Sequence, residues 1–427
     1  MRIIFLTNYF PPYEIGGQER SCLEAFEGLS TRGHDCLILT SMHGVDNVPT
    51  EEGAIRRWLY PEMDMVPLQH GLIFFTKRKQ REAHNLQCLE RLISDFQPDV
   101  LFIWGMWNLP RTLPALAERL LPGRVAYRFA EYWPTLPSQH EMYWRAPAKN
   151  WITFLPKWIM SSIALAMLAR DKQQVNIKFE HVMCVSAGTR QVLVDAGIPV
   201  AHARVIHTGL DIQEFTNVSQ SLRKEENQDV PHLQPLKLLY AGRLSTEKGV
   251  GTVIHAMAEL VNMLGRKAIR LEVAGPGQES YVNELLETVR QLQLEEVVTF
   301  LGRVPSKEMP ALMQARDVLI VPSIWPEPFA RVVLEGMVSR MVVVATPTGG
   351  TAEIVEDGKN GLLFPAGDSS ALAQQIRSLV ENPSLRKKLA EAGWQTVIDH
   401  YTKTGMLDAM EKFLLETPAR QGVGRGQ

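Results

Sequence analysis

Short apolar runs alternate along the chain with longer stretches whose apolar residues recur every three or four positions, and glycine or proline marks many of the changes. "RIIFLTN" predicts a strand, followed by a loop with Pro11, Pro12, Gly16 and Gly17. A helix is predicted from about Gln18 to Thr31, then a second strand, "HDCLILTS". "QPDVLFIWG" and "VAYRFAEYW" predict further strands, and "HVMCVSAGTRQVLVDAGI" with "ARVIHTGLD" predicts two short strands around a helix. Alternating strands and helices imply a parallel sheet covered on both faces.

Residues 216–235, "TNVSQSLRKEENQDVPHLQP", break every periodicity. Polar and carrying two prolines, they read as a linker between a domain of 1–215 and another of 236–401. The alternation then restarts, with strands predicted at "LKLLYAG", "IRLEVAG", "VVTFLG", "DVLIVPS" and "MVVVATP". The fold class expected is α/β, two doubly wound, Rossmann-like domains facing across a cleft, where the carboxyl ends of open sheets bind ligands. The final residues, 419–427, read as a disordered tail.

Composition narrows the functions. A chain of 427 residues with 45% hydrophobic content can bury large cores, and a net charge of −2 gives no basic stripe for nucleic acid. Cys22, Cys36, Cys88 and Cys184 are scattered, which favours reduced thiols and a cytoplasmic protein over a disulfide framework or a zinc site. "MRIIFLTNYF" is too short and too polar at its end for a signal peptide. In "WITFLPKWIMSSIALAMLAR" (151–170), Pro156 and Lys157 interrupt the apolar run, leaving a buried or interfacial helix rather than a span. "GLIFFTKRKQR" (71–81) joins an apolar patch to Lys77, Arg78, Lys79 and Arg81. It reads either as a solvated helix start or as a contact with an anionic membrane, peripheral at its inner face.

Chemistry gathers at the strand ends of the second domain. "GRLSTEKGV" places Arg243 and Lys248 ahead of a helix start, and "GPGQ" places Gly275 and Gly277 in a tight turn. "RVPSKEM" and "PTGGTAEIV" end two further strands. Convergent glycines, cations and helix starts point to a phosphorylated ligand. Glu327 and Glu335 stand in the otherwise apolar "PEPFARVVLEGM", where an unpaired carboxylate is costly. With a helix read from Phe329 onward, the two carboxylates fall about 10 Å apart. That span suits a diphosphate with sugar hydroxyls at one end and a ribose at the other. The plainer alternative pairs both glutamates with arginines such as Arg331 or Arg340.

Taken in order, these segments resemble the retaining glycosyltransferases of family four, group 1, with the two-domain GT-B fold, over nearly the whole chain. "IGGQERSCLEAFEGLSTRGHDCLILT" resembles the family's glycine loop and first helix, "CVSAGTRQVLVDAGI" its serine-containing strand end, and "IHTGLD" its Asn-Gly-x-Asp type turn. "GRLSTEKGV" and "PEPFARVVLEGM" match the Arg/Lys segment and the Glu-x7-Glu motif, and "TPTGGTAEIVEDGKNGLLFPAGD" matches the closing signature.

The resemblance implies roles. Arg243 and Lys248 would bind the diphosphate and stabilise the leaving nucleotide. Glu327 would hold the sugar hydroxyls and Glu335 the ribose. Phe329, Ala330, Arg331, Val332, Gly242 and Gly275 would lie along the donor, with Val304 beside the base and Gly16 and Gly17 near the phosphate. It implies no metal and no cofactor, a UDP- or GDP-sugar as donor, and a hydroxyl acceptor, which includes a lipid-linked one. It also implies a helix at about 402–418 packed back on the first domain. Three departures stand out. Ala130 replaces a histidine that normally touches the donor sugar, with Glu131 next to it keeping an acidic function near the acceptor. Ala330 replaces a glycine. Ser339, Arg340 and Val342 replace a small-Gly-x-Pro run. Two other readings stay open: a non-catalytic sugar-nucleotide-binding scaffold and a sugar-nucleotide epimerase.

Overall fold

The structure is a computed structural model and describes the chain apart from residues 14–15, 64–66, 149, 173–174, 216–234 and 418–427. The expected linker, except its last residue, and the expected tail lie outside the described residues. The chain divides into two compact units. One holds Met1–Val185, Thr189–Ile206 and the chain from Leu407, and the other holds Ser186–Gly188 and His207–Met406. The division falls ahead of residue 215 because Leu210 and Phe215 are buried in a core of the second unit, beside Leu319 and Met337.

In the first unit β1 (Arg2–Thr7), β2 (Asp35–Ser41), β3 (Glu51–Glu52), β4 (Ile55–Leu59), β5 (Val100–Gly105), β6 (Val125–Phe129), β7 (His181–Cys184) and β8 (Arg204–Val205) form one sheet. Its order is β3-β4-β2-β1-β5-β6-β7-β8, parallel throughout except for the β3–β4 pair. β5 and β6 are buried at every residue, as continuous apolar runs covered on both faces should be. The two acidic residues of β3 and the mixed sequence "IRRWL" of β4 lack that signature, and neither strand is evident from the sequence.

In the second unit β9 (Leu236–Ala241), β10 (Ile269–Ala274), β11 (Val298–Gly302), β12 (Val318–Val321), β13 (Val342–Ala345) and β14 (Leu362–Leu363) run parallel in the order β11-β10-β9-β12-β13-β14. The order in which strands are added reverses between β9 and β12, which makes their carboxyl ends the switch point where doubly wound sheets take ligands. Side chains sort by the two-residue period of a strand. Leu238, Val318, Ile320, Val342 and Val344 enter one core, and Leu239, Leu319, Val321, Val343 and Ala345 enter the other.

One helix keeps the sequence reading and one departs from it. The apolar run at 151–170 lies in a helix, Trp151–Lys172, that continues through Pro156. The helix expected from Phe329 begins at Arg331, with Ala330 as its N-cap. At the carboxyl terminus the helix Lys403–Glu416 passes from the second unit into the first. Within the first unit Arg32 pairs with Asp408 and with Glu411, each at 2.7 Å, and His34 Nε2 lies 2.8 Å from Glu411 Oε1.

Candidate active site

Backbone approaches that only glycine permits hold the second unit's strand ends together. Gly275 has φ +148, and a Cβ added there would lie 1.8 Å from the Gly242 carbonyl oxygen, so the loops after β9 and β10 touch. Past β9 a 3-10 turn, Thr246–Lys248, ends at Gly249 in the left-handed region. A Cβ at Gly249 would lie 2.0 Å from the Pro322 carbonyl oxygen, in the loop after β12. This approach joins the two sides of the switch point and brings Lys248 to Glu327.

Lys248 Nζ donates to Glu327 Oε1, and Ser323 Oγ donates to the same oxygen at 2.6 Å. The Glu327 backbone is also held: the Gly350 amide donates to its carbonyl at 2.8 Å, and a Cβ on Gly349 would lie 2.0 Å from that oxygen. Arg243 pairs outside this cluster. Its Nη2 lies 3.7 Å from Glu247 Oε1, and its side chain is more than half exposed.

In the helix Arg331–Val338, Leu334 and Met337 are buried, and a Cβ on Gly336 would come within 2.5 Å of Leu319 Cδ2. The helix therefore packs closely on β12. Arg331 Nε lies 3.3 Å from Glu335 Oε1, one helical turn away. The Ala330 N-cap offers no side-chain acceptor to the first amides of the helix. Its methyl group, standing where the family motif has glycine, is buried with Val333 and Leu334 in the core. Val304, Phe329 and Val332 are partly buried against the same core. Phe329 stacks on His207 with ring centroids 5.5 Å apart.

A carboxylate to which the sequence reading gave no role anchors this region. Glu353 accepts from the amides of Ala187 and Gly188, at 3.0 and 2.8 Å, and lies 3.0 Å from His207 Nε2. Burial alone would raise its pKa, but the His207 contact and the two amides hold it below the usual carboxylate value.

The first unit, taken by itself, also has polar residues at its strand ends. Gly16 caps the helix Gly17–Thr31, and its amide donates to Glu19 Oε2 at 3.0 Å. Gln18 reaches the segment after β6, with Nε2 3.5 Å from Glu131 Oε1. Glu131 keeps partial contact with solvent, yet protein crowds its carboxyl and raises its pKa to about 7. Gln18 lowers it, and the nearby charge of Glu19 raises it further. All four cysteines are free thiols. Among the described residues no His, Cys, Asp and Glu side chains gather as a metal site, and no helix is long and apolar enough to cross a membrane.

Two family models match the chain: Glycosyltransferase Family 4 over residues 15–214 and Glycosyl transferases group 1 over residues 223–396. Glycogen synthase of Mycobacterium tuberculosis is 26% identical over 425 residues, covering 93% of this chain and 92% of its own. A glycosyltransferase from Rickettsia africae is similar in structure with a TM-score of 0.69 and 21% identity, covering 97% of this chain and 98% of its own. Anabaena HepE, solved in complex with UDP and glucose, is similar with a TM-score of 0.67 and 20% identity, covering 97% of this chain and 99% of its own. Two parallel doubly wound sheets, a family model on each half and a relative matched nearly end to end agree: the chain is a glycosyltransferase and belongs to the group 1, family-four enzymes of GT-B fold.

Proposed function

We propose that this glycosyltransferase moves a hexose-type sugar from a UDP- or GDP-linked donor to a hydroxyl acceptor, with retention at the anomeric carbon and without a metal. The observation that carries this reading is the Lys248–Ser323–Glu327 cluster at the carboxyl ends of β9 and β12. In the proposal Lys248 and Arg243 take the diphosphate and stabilise negative charge as it develops on the leaving nucleotide. The uncapped amides at the start of the helix Arg331–Val338 add a partial positive charge there. Glu327 accepts from sugar hydroxyls, Glu335 from the ribose, and the acceptor hydroxyl attacks from the leaving-group face. Gly16, Gly17, Gly242, Gly275, Val304, Phe329, Ala330 and Val332 shape the donor's surroundings, and Glu131 serves the acceptor. The family resemblance supports retention and a role in cell-surface polysaccharide or glycolipid synthesis.

HepE was solved with UDP and glucose, so UDP-glucose is the first donor to test here. Nucleotide release is measured across uridine- and guanosine-linked hexoses, with and without a chelator. One donor should be cleaved at a rate the chelator leaves unchanged. Activity lost in chelator and restored by magnesium or manganese overturns the metal-free reading, and no cleavage of any donor favours the non-catalytic scaffold.

We also infer a peripheral membrane contact through the helix Trp151–Lys172. Trp151 is 86% exposed, Phe154 61% and Trp158 62%. No acidic residue occurs between Glu141 and Asp171, whereas Arg145, Lys157 and Arg170 do. An apolar face with cationic neighbours matches an anionic bilayer surface, and it supports an acceptor carried on a lipid.

A further inference from the structure

Glu327 stands between two prolines in "WPEPF", so the rings of Pro326 and Pro328 fix φ on both sides of it. The residue before each proline is restricted as well, which leaves Glu327 little freedom of its own. A segment this stiff moves as one piece, and whatever fastens it decides where the Glu327 carboxylate lies.

Part of the fastening runs through the backbone. The Gly350 amide takes the Glu327 carbonyl, and Ser186 Oγ donates to the Pro328 carbonyl at 2.6 Å. The rest is made by rings. Phe329 stacks on His207 at an interplanar angle of 28°, and Tyr401 packs against both, its centroid 5.4 Å from His207 and 5.9 Å from Phe329.

Glu353 holds His207 in turn. An ionised carboxylate only accepts, so Nε2 carries the proton of the 3.0 Å contact, and the ring cannot turn over without losing it. The same carboxylate takes the Ala187 and Gly188 amides, and its own backbone carbonyl accepts from Tyr401 Oη at 3.0 Å. Glu353 lies in the helix Thr351–Ile354, whose N-cap is Gly350. One short segment therefore grips the Glu327 carbonyl and also orients the ring stacked on Phe329. All of these residues belong to the second unit. The His207 and Glu353 side chains are 32% and 23% exposed, so their pairing adds little to stability, and orientation is what it supplies.

We infer that His207 and Glu353 are positioning residues for the transfer: Glu353 orients the His207 ring, and the ring, through Phe329, holds Glu327 where the sugar hydroxyls meet it. The inference rests on the reading of Glu327 as the carboxylate that takes those hydroxyls.

Hydrogen exchange, initial rates and calorimetry on the full chain test it. His207→Ala should quicken exchange of the Gly350 amide, which reports the grip on Glu327, by about tenfold or more. With a nucleotide sugar that the unaltered chain cleaves, the same variant should lower kcat by about tenfold or more. Affinity for UDP and for GDP should stay unchanged, because neither carries a sugar. His207→Phe keeps a ring on Phe329 and should recover most of both losses. Glu353→Gln leaves one oxygen for three donors and should quicken exchange and lower kcat several-fold. Should His207→Ala fail to fold, Glu353→Gln carries both readings. Unmoved exchange at Gly350, faster exchange with kcat unchanged, or His207→Phe as impaired as His207→Ala overturns the inference. An unaltered chain that cleaves no nucleotide sugar counts against the donor reading alone, and the exchange result then decides whether His207 holds the segment.

Discussion

Lys248 and Glu327, from loops on opposite sides of the β9/β12 switch point, share a hydrogen bond. Their side chains are 24% and 13% exposed, so neither is fully solvated without the other. The ammonium keeps two more protons to offer, and Glu327 Oε2 remains available beyond the oxygen that Ser323 and Lys248 share. The pair is therefore able to hold its geometry while a diphosphate approaches the lysine and a hydroxyl approaches the glutamate.

If Glu327 grips the transferred sugar and Glu335 the ribose, the two substitutions fail differently. Glu335→Gln should weaken both nucleoside diphosphate and intact donor by about 1–3 kcal/mol, the range for hydrogen bonds to a charged group. Glu327→Gln should hardly change nucleoside diphosphate affinity, because that ligand has no sugar to hold. Its cost should appear in turnover, where the sugar ring gains positive charge. Calorimetry with the diphosphate and initial rates with the donor give both readings. Equal loss of diphosphate affinity in the two variants sinks the division of labour.

The carboxyl-terminal helix brings Asp408 and Glu411 to Arg32 and His34, and a Cβ on Gly28 would lie 2.4 Å from Leu407 Cδ1. Removing residues 402–427 should thus lower the melting temperature by several degrees, since it strips buried Leu407, Met410 and Leu414 from their contacts. Removing only 420–427 should leave it unchanged. Equal melting temperatures for the two truncations would refute the docking role.

The sheets were legible in the sequence because "LLYAG", "DVLIVPS" and "MVVVATP" are continuous apolar runs that end in turn residues, a pattern fully buried parallel strands share. β3 and β4 were not, since β3 is two glutamates and β4 sets two adjacent arginines among its five residues. Pro156 reads as an interruption of the apolar run, yet the helix Trp151–Lys172 continues through it. In the site, the alternative partner for Glu335 was visible because Arg331 lies one turn away. The Lys248–Glu327 contact was not, because it is set by glycine-permitted backbone approaches between distant loops. Arg243 illustrates the same limit, lying beside Glu247 rather than with Lys248 and Glu327. Nothing in the sequence relates Gln18 to Glu131 until the sheet brings the strand ends together.

The exposed face of the helix Trp151–Lys172 predicts a vesicle-binding result. The protein should sediment with phosphatidylglycerol vesicles and much less with phosphatidylcholine vesicles, and high salt should weaken the first interaction. Replacing Trp151, Phe154 and Trp158 together with glutamate should abolish sedimentation without changing turnover on a water-soluble acceptor. If light scattering instead finds that the triple variant breaks up an oligomer and vesicles bind neither form, this face serves self-association and the membrane reading fails.

Glu131 gives the sharpest separation of structure from chemistry. Burial, opposed by Gln18 and reinforced by Glu19, raises its folded pKa from 4.5 to about 7. The folded state therefore holds the proton more tightly than the unfolded chain does. Stability should fall as pH rises between 4.5 and 7 and carry the full penalty above that range. Glu131→Gln removes the charge, so at pH 8 the variant should be more stable in urea by about 1–3 kcal/mol, and near pH 4 the difference should vanish. If Glu131 also serves the acceptor hydroxyl, the same variant should lose about 100-fold or more in turnover while gaining stability. The unaltered enzyme should then show an inflection in kcat/KM near pH 7. A variant that is both more stable and fully active removes Glu131 from the chemistry, and one with no gain at pH 8 removes burial as the cause of its raised pKa.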